Sequence, residues 1–377
     1  MTVLLVPVRY PPHIGGIETL LEHTMPTLRE LGHEFVVVTG TDDDRETSGI
    51  VDDVPVYRLP FQSTMASPTP ARLLAMGSRM REIERGHDIA LRHVHGLDCN
   101  LWFVARRHRQ QPLPLIVSVH GTLDPPHPFS RVTHDTLLAA DAVTAVSRSV
   151  RTSIETTIPE LDGTVRVIPN GITVSIRRDA PPAVPGRIFM AGRLDWLKGF
   201  DLVVRALAVL RSSHPEAHVR IAGEGHERQR LLDVARAEGV ADRVELLGPC
   251  THTEVIGEIA RAAVVAVPSR AIEGFSLVAL EAAHLGRPVL ATNVGGLTET
   301  VVDGVTGVLV PPEDLATLTS ALTTLLDDPH HAEALGGAAR EHARRYDAAH
   351  CARAYASTYD QITDAPELLV ASPTGTS

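Results

Sequence analysis

Lysine is nearly absent from this chain of 377 residues: of its 35 Lys and Arg side chains, only Lys198 is a lysine. Cysteine is scarce as well. Cys99, Cys250 and Cys351 stand far apart, with no Cys-x-x-Cys spacing. That excludes a disulfide framework and a cysteine-built zinc site, and it predicts a reduced, cytoplasmic protein. No run approaches the roughly 18 apolar residues of a membrane span. The first residues enter Val3-Leu4-Leu5-Val6 directly, without a charged region ahead of an apolar one, so no signal peptide is expected. A basic field is missing too. The formal net charge is −11, with 18 basic and 20 acidic side chains up to residue 178 and 17 and 26 beyond it. A general nucleic-acid binder is thereby excluded. Local clusters at Arg79, Arg81 and Arg85 and at Arg106, Arg107 and Arg109 read as solvated helix faces, in preference to a membrane-binding surface.

What is present is alternation. Short β-branched runs, such as residues 2–8, 35–38 and 115–119, are separated by longer helical patterns. Runs without polar alternation fit strands buried on both faces, and their alternation with helices implies βαβ units and parallel sheets. The pattern restarts after a proline-rich stretch at 180–186, which reads as a linker. Strands are expected at 188–191, 219–222, 244–247, 264–267, 288–291 and 308–310, with helices from about Phe200 and Glu227. The chain thus divides into two doubly wound, Rossmann-like α/β domains, 1–178 and 179–347. A helical stretch over 333–362 crosses back, so that 348–377 rejoins the first domain and ends in a frayed tail. Ligands of such folds bind in the cleft at the carboxyl ends of the strands.

Four strand-to-helix loops carry unusual chemistry. Gly15-Gly16 precedes a helix and leaves backbone N–H groups open to an anion. It is not the Gly-x-Gly-x-x-Gly of a nicotinamide site, which argues against a dehydrogenase. In Gly192-Arg193-Leu194-Asp195-Trp196-Leu197-Lys198-Gly199, two cations share one short loop. A diphosphate between them would relieve their repulsion; the alternative is a salt bridge from each to Asp195 or Asp201. In Pro268-Ser269-Arg270-Ala271-Ile272-Glu273-Gly274-Phe275-Ser276-Leu277, Glu273 stands on the loop and Glu281 on the following helix. Glu281 lies in an apolar stretch, where a carboxylate needs partners. The paired hydroxyls of a ribose suit it, and so does an internal ion pair. Gly295-Gly296 is a weaker glycine pair at another helix start. Two further loops hold His93-Val94-His95-Gly96 and His120-Gly121. No adjacent cysteine or His-x-x-x-His supports a metal there, and His120 is the histidine placed to donate to a substrate or phosphate.

Together these residues resemble the retaining glycosyltransferases of family 4, with the GT-B fold, over about residues 3–360. The resemblance rests on the Glu-x7-Glu run from Glu273 to Glu281, on Gly192-Arg193 with Lys198-Gly199, on Ile168-Pro169-Asn170-Gly171-Ile172 and on Ala145-Val146-Ser147. It implies a nucleotide-sugar donor, UDP- or GDP-linked, held in a cleft between the two domains. Arg193 and Lys198 would hold the diphosphate, and Gly15 and Gly16 would approach it from the opposite domain. Glu281 would bind the ribose. Glu273, the amides of Gly274, Phe275 and Ser276, and Leu277 would hold the sugar and distal phosphate, with His120 facing the reacting sugar. The catalytic set would be His120, Arg193, Lys198 and Glu273, with no metal and no cofactor. Ser276 stands where the family often has glycine, and Trp196 is a bulky addition to the donor loop.

The acceptor, a small molecule, glycan or lipid-linked sugar, would be read by first-domain loops. These include the acidic Asp42-Asp43-Asp44 turn, which could favour a cationic acceptor, and the 61–86 segment. That segment, with Leu73, Leu74, Met76 and Met80, fits a helix packed on its own domain better than one lying on a membrane. Other readings are a nucleotide-sugar epimerase on the same architecture, a pyridoxal-phosphate phosphorylase and a catalytically silent sugar-nucleotide-binding subunit.

Overall fold

The computed structural model describes residues 1–41, 43–123, 130–174, 182–271 and 273–364. The linker residues Ala180 and Pro181, Asp42 of the acidic turn, Ile272 of the glutamate loop and the tail from residue 365 lie outside the described residues.

Fourteen strands form two sheets among these residues. The first sheet contains β1 (Thr2–Pro7), β2 (Glu34–Gly40), β3 (Thr47–Val51), β4 (Val54–Leu59), β5 (Leu91–His95), β6 (Leu115–Val119), β7 (Ala142–Ala145) and β8 (Arg166–Val167). Their order is β3-β4-β2-β1-β5-β6-β7-β8. Every pairing is parallel except the β3–β4 hairpin. Its turn residues Asp52 and Asp53 both take positive φ, 50° and 63°, the geometry that matches the twist of a tight hairpin. The second sheet contains β9 (Arg187–Ala191), β10 (His218–Ala222), β11 (Val244–Gly248), β12 (Val264–Val267), β13 (Val289–Thr292) and β14 (Gly307–Val310). It is wholly parallel, in the order β11-β10-β9-β12-β13-β14. Both sheets are doubly wound: the order reverses at β1/β5 in the first and at β9/β12 in the second. The loops after β1, β9 and β12 therefore open at switch points, where such sheets bind ligands.

The crossing back is made by two helices. Pro329–Ala343 packs on the second domain, a short turn spans Arg344–Tyr346, and Ala348–Thr363 packs on the first helix, Gly16–Glu30. The single stretch expected over 333–362 is thus broken. Asp347 caps the second helix by accepting from the Ala349 amide, and it also bridges to Ile172 where the chain left the first domain. Gly171 is required there, because a Cβ would sit 2.4 Å from the Asp347 carbonyl oxygen. Tyr355 and Tyr359 of the crossing helix are fully buried in the first domain's core with Val3, Leu5 and Leu20.

Segment 61–86 forms two helices, Phe61–Ala66 and Pro70–Gly86. Met76 and Met80 are buried in the domain core and Leu74 is exposed, so the segment packs on its own domain. One of the expected solvated arginines is not solvated. Arg107 is buried and donates to Glu84, which also pairs with the fully buried Arg92. A carboxylate held by two guanidiniums needs neither of them in water.

Candidate active site

The loop after β1 brings its glycines to the domain interface. Gly15 caps the helix Gly16–Glu30 in an extended conformation, and a Cβ on Gly16 would lie 3.8 Å from Leu277 of the second domain. The amino end of this helix therefore faces the opposite domain. A Cβ at position 15 would approach the Glu18 carboxylate to 2.5 Å, so a side chain there would require the glutamate to turn aside. Burial holds the Glu18 carboxyl above its ordinary range.

In the loop after β9, Asp195 caps the short turn Trp196–Lys198 by accepting from the Lys198 amide, and its other oxygen accepts from Arg193 Nε at 2.9 Å. Gly199 has φ 64°, and a Cβ there would meet the Pro268 carbonyl oxygen. This glycine folds the loop onto the one after β12. The two cations do not sit unpaired side by side. Arg193 pairs with Asp195 and is 78% exposed, whereas Lys198 Nζ donates to Glu273 Oε2 at 2.9 Å. Asp201, a possible partner in the sequence reading, belongs to Arg270, which grips it through both oxygens at 2.7 and 2.9 Å.

The loop after β12 is held by that Arg270. Its guanidinium also donates to the Trp196 carbonyl and covers one face of the Trp196 ring at 4.8 Å. Ser269 Oγ donates to Glu273 Oε2 at 2.8 Å, so this oxygen carries both Ser269 and Lys198. Ser276 caps the helix Leu277–His284 by accepting from the Ala279 amide. Gly274 touches the other domain: a Cβ on it would stand 2.0 Å from the His120 carbonyl oxygen. Gly295 and Gly296 have a packing role. Gly296 N donates to the Glu273 carbonyl at 2.7 Å, and side chains at 295 or 296 would collide with the backbone of Glu273 and Gly274.

Glu281 is buried, and its Oε1 lies 3.0 Å from His252 Nε2. Burial raises the carboxyl's pKa while His252 opposes the rise. The imidazole in turn is held above its ordinary value, first by its hydrogen bond to Glu281. Sequence reasoning missed His252. It lies 29 residues from its partner, and only the fold brings the end of β11 beside the helix after β12.

His120 follows β6 directly, half-buried at the interface, with Nε2 3.0 Å from His95 Nδ1. His93 and His95 belong to β5 and are fully buried. His93 bonds Tyr359 at 2.8 Å and Ser118 at 2.7 Å. Burial lowers His120 to about 4 and His93 to about 3, and it lowers His95 strongly as well. The three rings are therefore neutral at neutral pH, and His120 Nδ1 has no hydrogen-bond partner among the described residues. In the acidic turn Asp44 lies 3.9 Å from Arg72, and elsewhere among the first-domain loops Arg58 donates to the Pro11 carbonyl. These loops present both signs of charge.

Two family models match the chain in tandem, "Glycosyltransferase Family 4" over residues 14–175 and "Glycosyl transferases group 1" over residues 176–342. The glycogen synthase of Mycobacterium tuberculosis is 33% identical over 378 residues, covering 90% of this chain and 90% of its own. Among solved structures, the sucrose-phosphate synthase of Thermosynechococcus elongatus superposes with a TM-score of 0.82 at 24% identity, covering 97% of this chain and 99% of its own. Anabaena HepE in complex with UDP-glucose superposes with a TM-score of 0.74 at 21% identity, covering 96% and 100%. The tandem family match, the 33%-identical relative and the two doubly wound domains together make this a GT-B glycosyltransferase. It belongs to glycosyltransferase family 4. No helix among the described residues is long and apolar enough to cross a membrane.

Proposed function

We propose that this glycosyltransferase moves a hexosyl group from a nucleoside-diphosphate sugar, UDP-glucose being the first candidate, to an acceptor hydroxyl, with retention of anomeric configuration and without a metal. The observation that carries the reading is the Lys198–Glu273 pair, which adjoins Gly274 where that glycine meets the His120 backbone of the first domain. Ser269 and Lys198 both bond Glu273 Oε2, and among the described residues Oε1 has no hydrogen-bond partner, which makes it the oxygen for a sugar hydroxyl. On this reading Lys198 acts at the join between sugar and diphosphate, and the exposed Arg193 exchanges its Asp195 partner for the diphosphate. The UDP-glucose in the HepE complex supports the choice of donor.

The chemistry follows from charge. When the bond between C1 of the sugar and the phosphate oxygen breaks, its electron pair stays on the phosphate and positive charge develops on the sugar ring. Lys198, Arg193 and the amides at the start of the helix Leu277–His284 stabilise the leaving diphosphate, the kind of preorganised term worth most in a closed site. The departing phosphate oxygen takes the proton of the acceptor hydroxyl as that hydroxyl attacks C1 on the same face, which gives retention. Neutral His120 donates to the transferred sugar and needs no change of protonation. Two cationic side chains take the part a divalent ion would otherwise play.

A thermal-shift panel of UDP-, GDP- and ADP-sugars tests the donor, because a ligand of the native state raises the midpoint by mass action. The anomeric configuration of the product, read by NMR, and activity in the presence of a chelator test the rest. Inversion, or loss of turnover with EDTA, overturns the corresponding part.

A further inference from the structure

A buried carboxylate on an apolar helix has nothing of its own to fix its rotamer or keep it ionised. Glu281 is given both by His252. That residue opens the helix His252–Arg261, whose start is locked by a capping box: Thr251 accepts from the Glu254 amide, and the Glu254 carboxylate accepts from the Thr251 amide. The Nε2–Oε1 bond of 3.0 Å leaves Glu281 Oε2, and a second lone pair on Oε1, open to other donors.

The other flank of His252 is the first domain. The His23 ring, from the helix Gly16–Glu30, meets the His252 ring edge-on with centroids 5.1 Å apart and planes at 76°. The Thr173 amide, on the segment leaving the first domain, donates to His23 Nδ1. Burial keeps His23 neutral, with its pKa lowered to about 4, so its proton resides on Nε2. That Nε2 is buried and has no protein partner among the described residues. A ring of one domain that carries an unpartnered N–H therefore packs against the imidazole of the other domain's carboxylate–imidazole pair.

We propose that His252 positions the Glu281 carboxylate for the paired hydroxyls of the donor ribose, and that His23 reaches across the closed interface to complete this ribose-reading site. The inference rests on the nucleotide-sugar reading above. It makes His252 and His23 specificity-determining residues, and it ties recognition of the ribose to domain closure.

The test is the discrimination between ribose and deoxyribose, measured by calorimetry with UDP and GDP against their 2′-deoxy counterparts. Wild type binds the ribonucleotide more tightly by about tenfold or more, the size of one lost hydrogen bond to a charged group. His252→Ala narrows that ratio to within about threefold, whereas His252→Gln, which keeps an N–H at similar reach, retains most of it. His23→Ala narrows it by a smaller factor. A purely structural role weakens both nucleotides alike: an unchanged ratio in His252→Ala overturns the assignment, and an unchanged ratio in His23→Ala overturns its interdomain half. Far-UV circular dichroism confirms that each variant is folded. Wild type binding neither UDP nor GDP would instead sink the donor reading, and this inference with it.

Discussion

Lys198→Arg keeps the charge of the one lysine and changes only its shape. The lysine stem runs along the backbone of Gly192, with Cε 3.7 Å from where a Cβ on that glycine would stand. Its Nζ ends 2.9 Å from Glu273 Oε2. An arginine in the same rotamer would place its central guanidinium carbon near the position of Nζ, and its terminal nitrogens one bond further on. Those nitrogens must displace either the Glu273 carboxylate or the diphosphate. The static cost is small. The pair is partly exposed, at 29% and 10% for the two side chains, and such pairs contribute at most about 1 kcal/mol. The kinetic cost is larger, because the group acts on charge that develops only as the glycosyl bond breaks. A misplaced donor there forfeits about 3 kcal/mol, which is on the order of 100-fold in kcat/KM. Steady-state turnover of the donor that stabilises the protein in the thermal panel, with the melting temperature as control, is the assay. Turnover within about threefold of wild type would refute the argument and leave the solitary lysine as an accident of composition.

Three further outcomes are expected. Gly274→Ala should lower kcat on the order of tenfold while each domain stays folded, because the new Cβ would sit 2.0 Å from the His120 carbonyl and prop the cleft open; small-angle scattering should register the expansion. Glu84→Gln should destabilise the first domain by about 3–5 kcal/mol in urea, since it leaves Arg92 and Arg107 buried without their shared anion. The stability advantage of wild type over His252→Gln should depend on pH. The imidazole is raised above its ordinary 6.5 in the folded protein, so the advantage is fully present below about pH 6.5 and fades as pH rises through the folded value. Paired denaturation curves from pH 5.5 to 8.5 check the direction, and a growing advantage at high pH would contradict the ion pair.

The sheets were legible because their strands are buried on both faces. Val264-Val265-Ala266-Val267, for example, announces a central parallel strand without any help from its neighbours. The loops were legible for a related reason: glycines and charges that a core would exclude mark the ends of those strands. Pairings across loops were not legible. Nothing local to Lys198 names Glu273, 75 residues on, in preference to Asp195 at its side, and the choice is made by Gly199 folding one loop over the other. Arg107 reads as a surface cation until Glu84 is placed beneath it. The break at 344–347 escaped because helical propensity runs through it. What stops the helix is a tertiary event, the docking of Asp347 against Gly171 and Ile172.

The crossing helix Ala348–Thr363 has a consequence for the order of assembly on the ribosome. His93, in the middle of the first sheet, bonds a tyrosine hydroxyl 266 residues downstream, and the core around Val3 and Leu5 is sealed by side chains from the same late helix. The first domain to emerge is therefore finished after the second. Until residue 359 clears the exit tunnel, His93 and Ser118 lack their tyrosine partners and Leu20 is exposed along an open groove. A ribosome stalled after the second domain should carry a folded carboxyl-terminal half joined to an amino-terminal half that chaperones still recognise as incomplete.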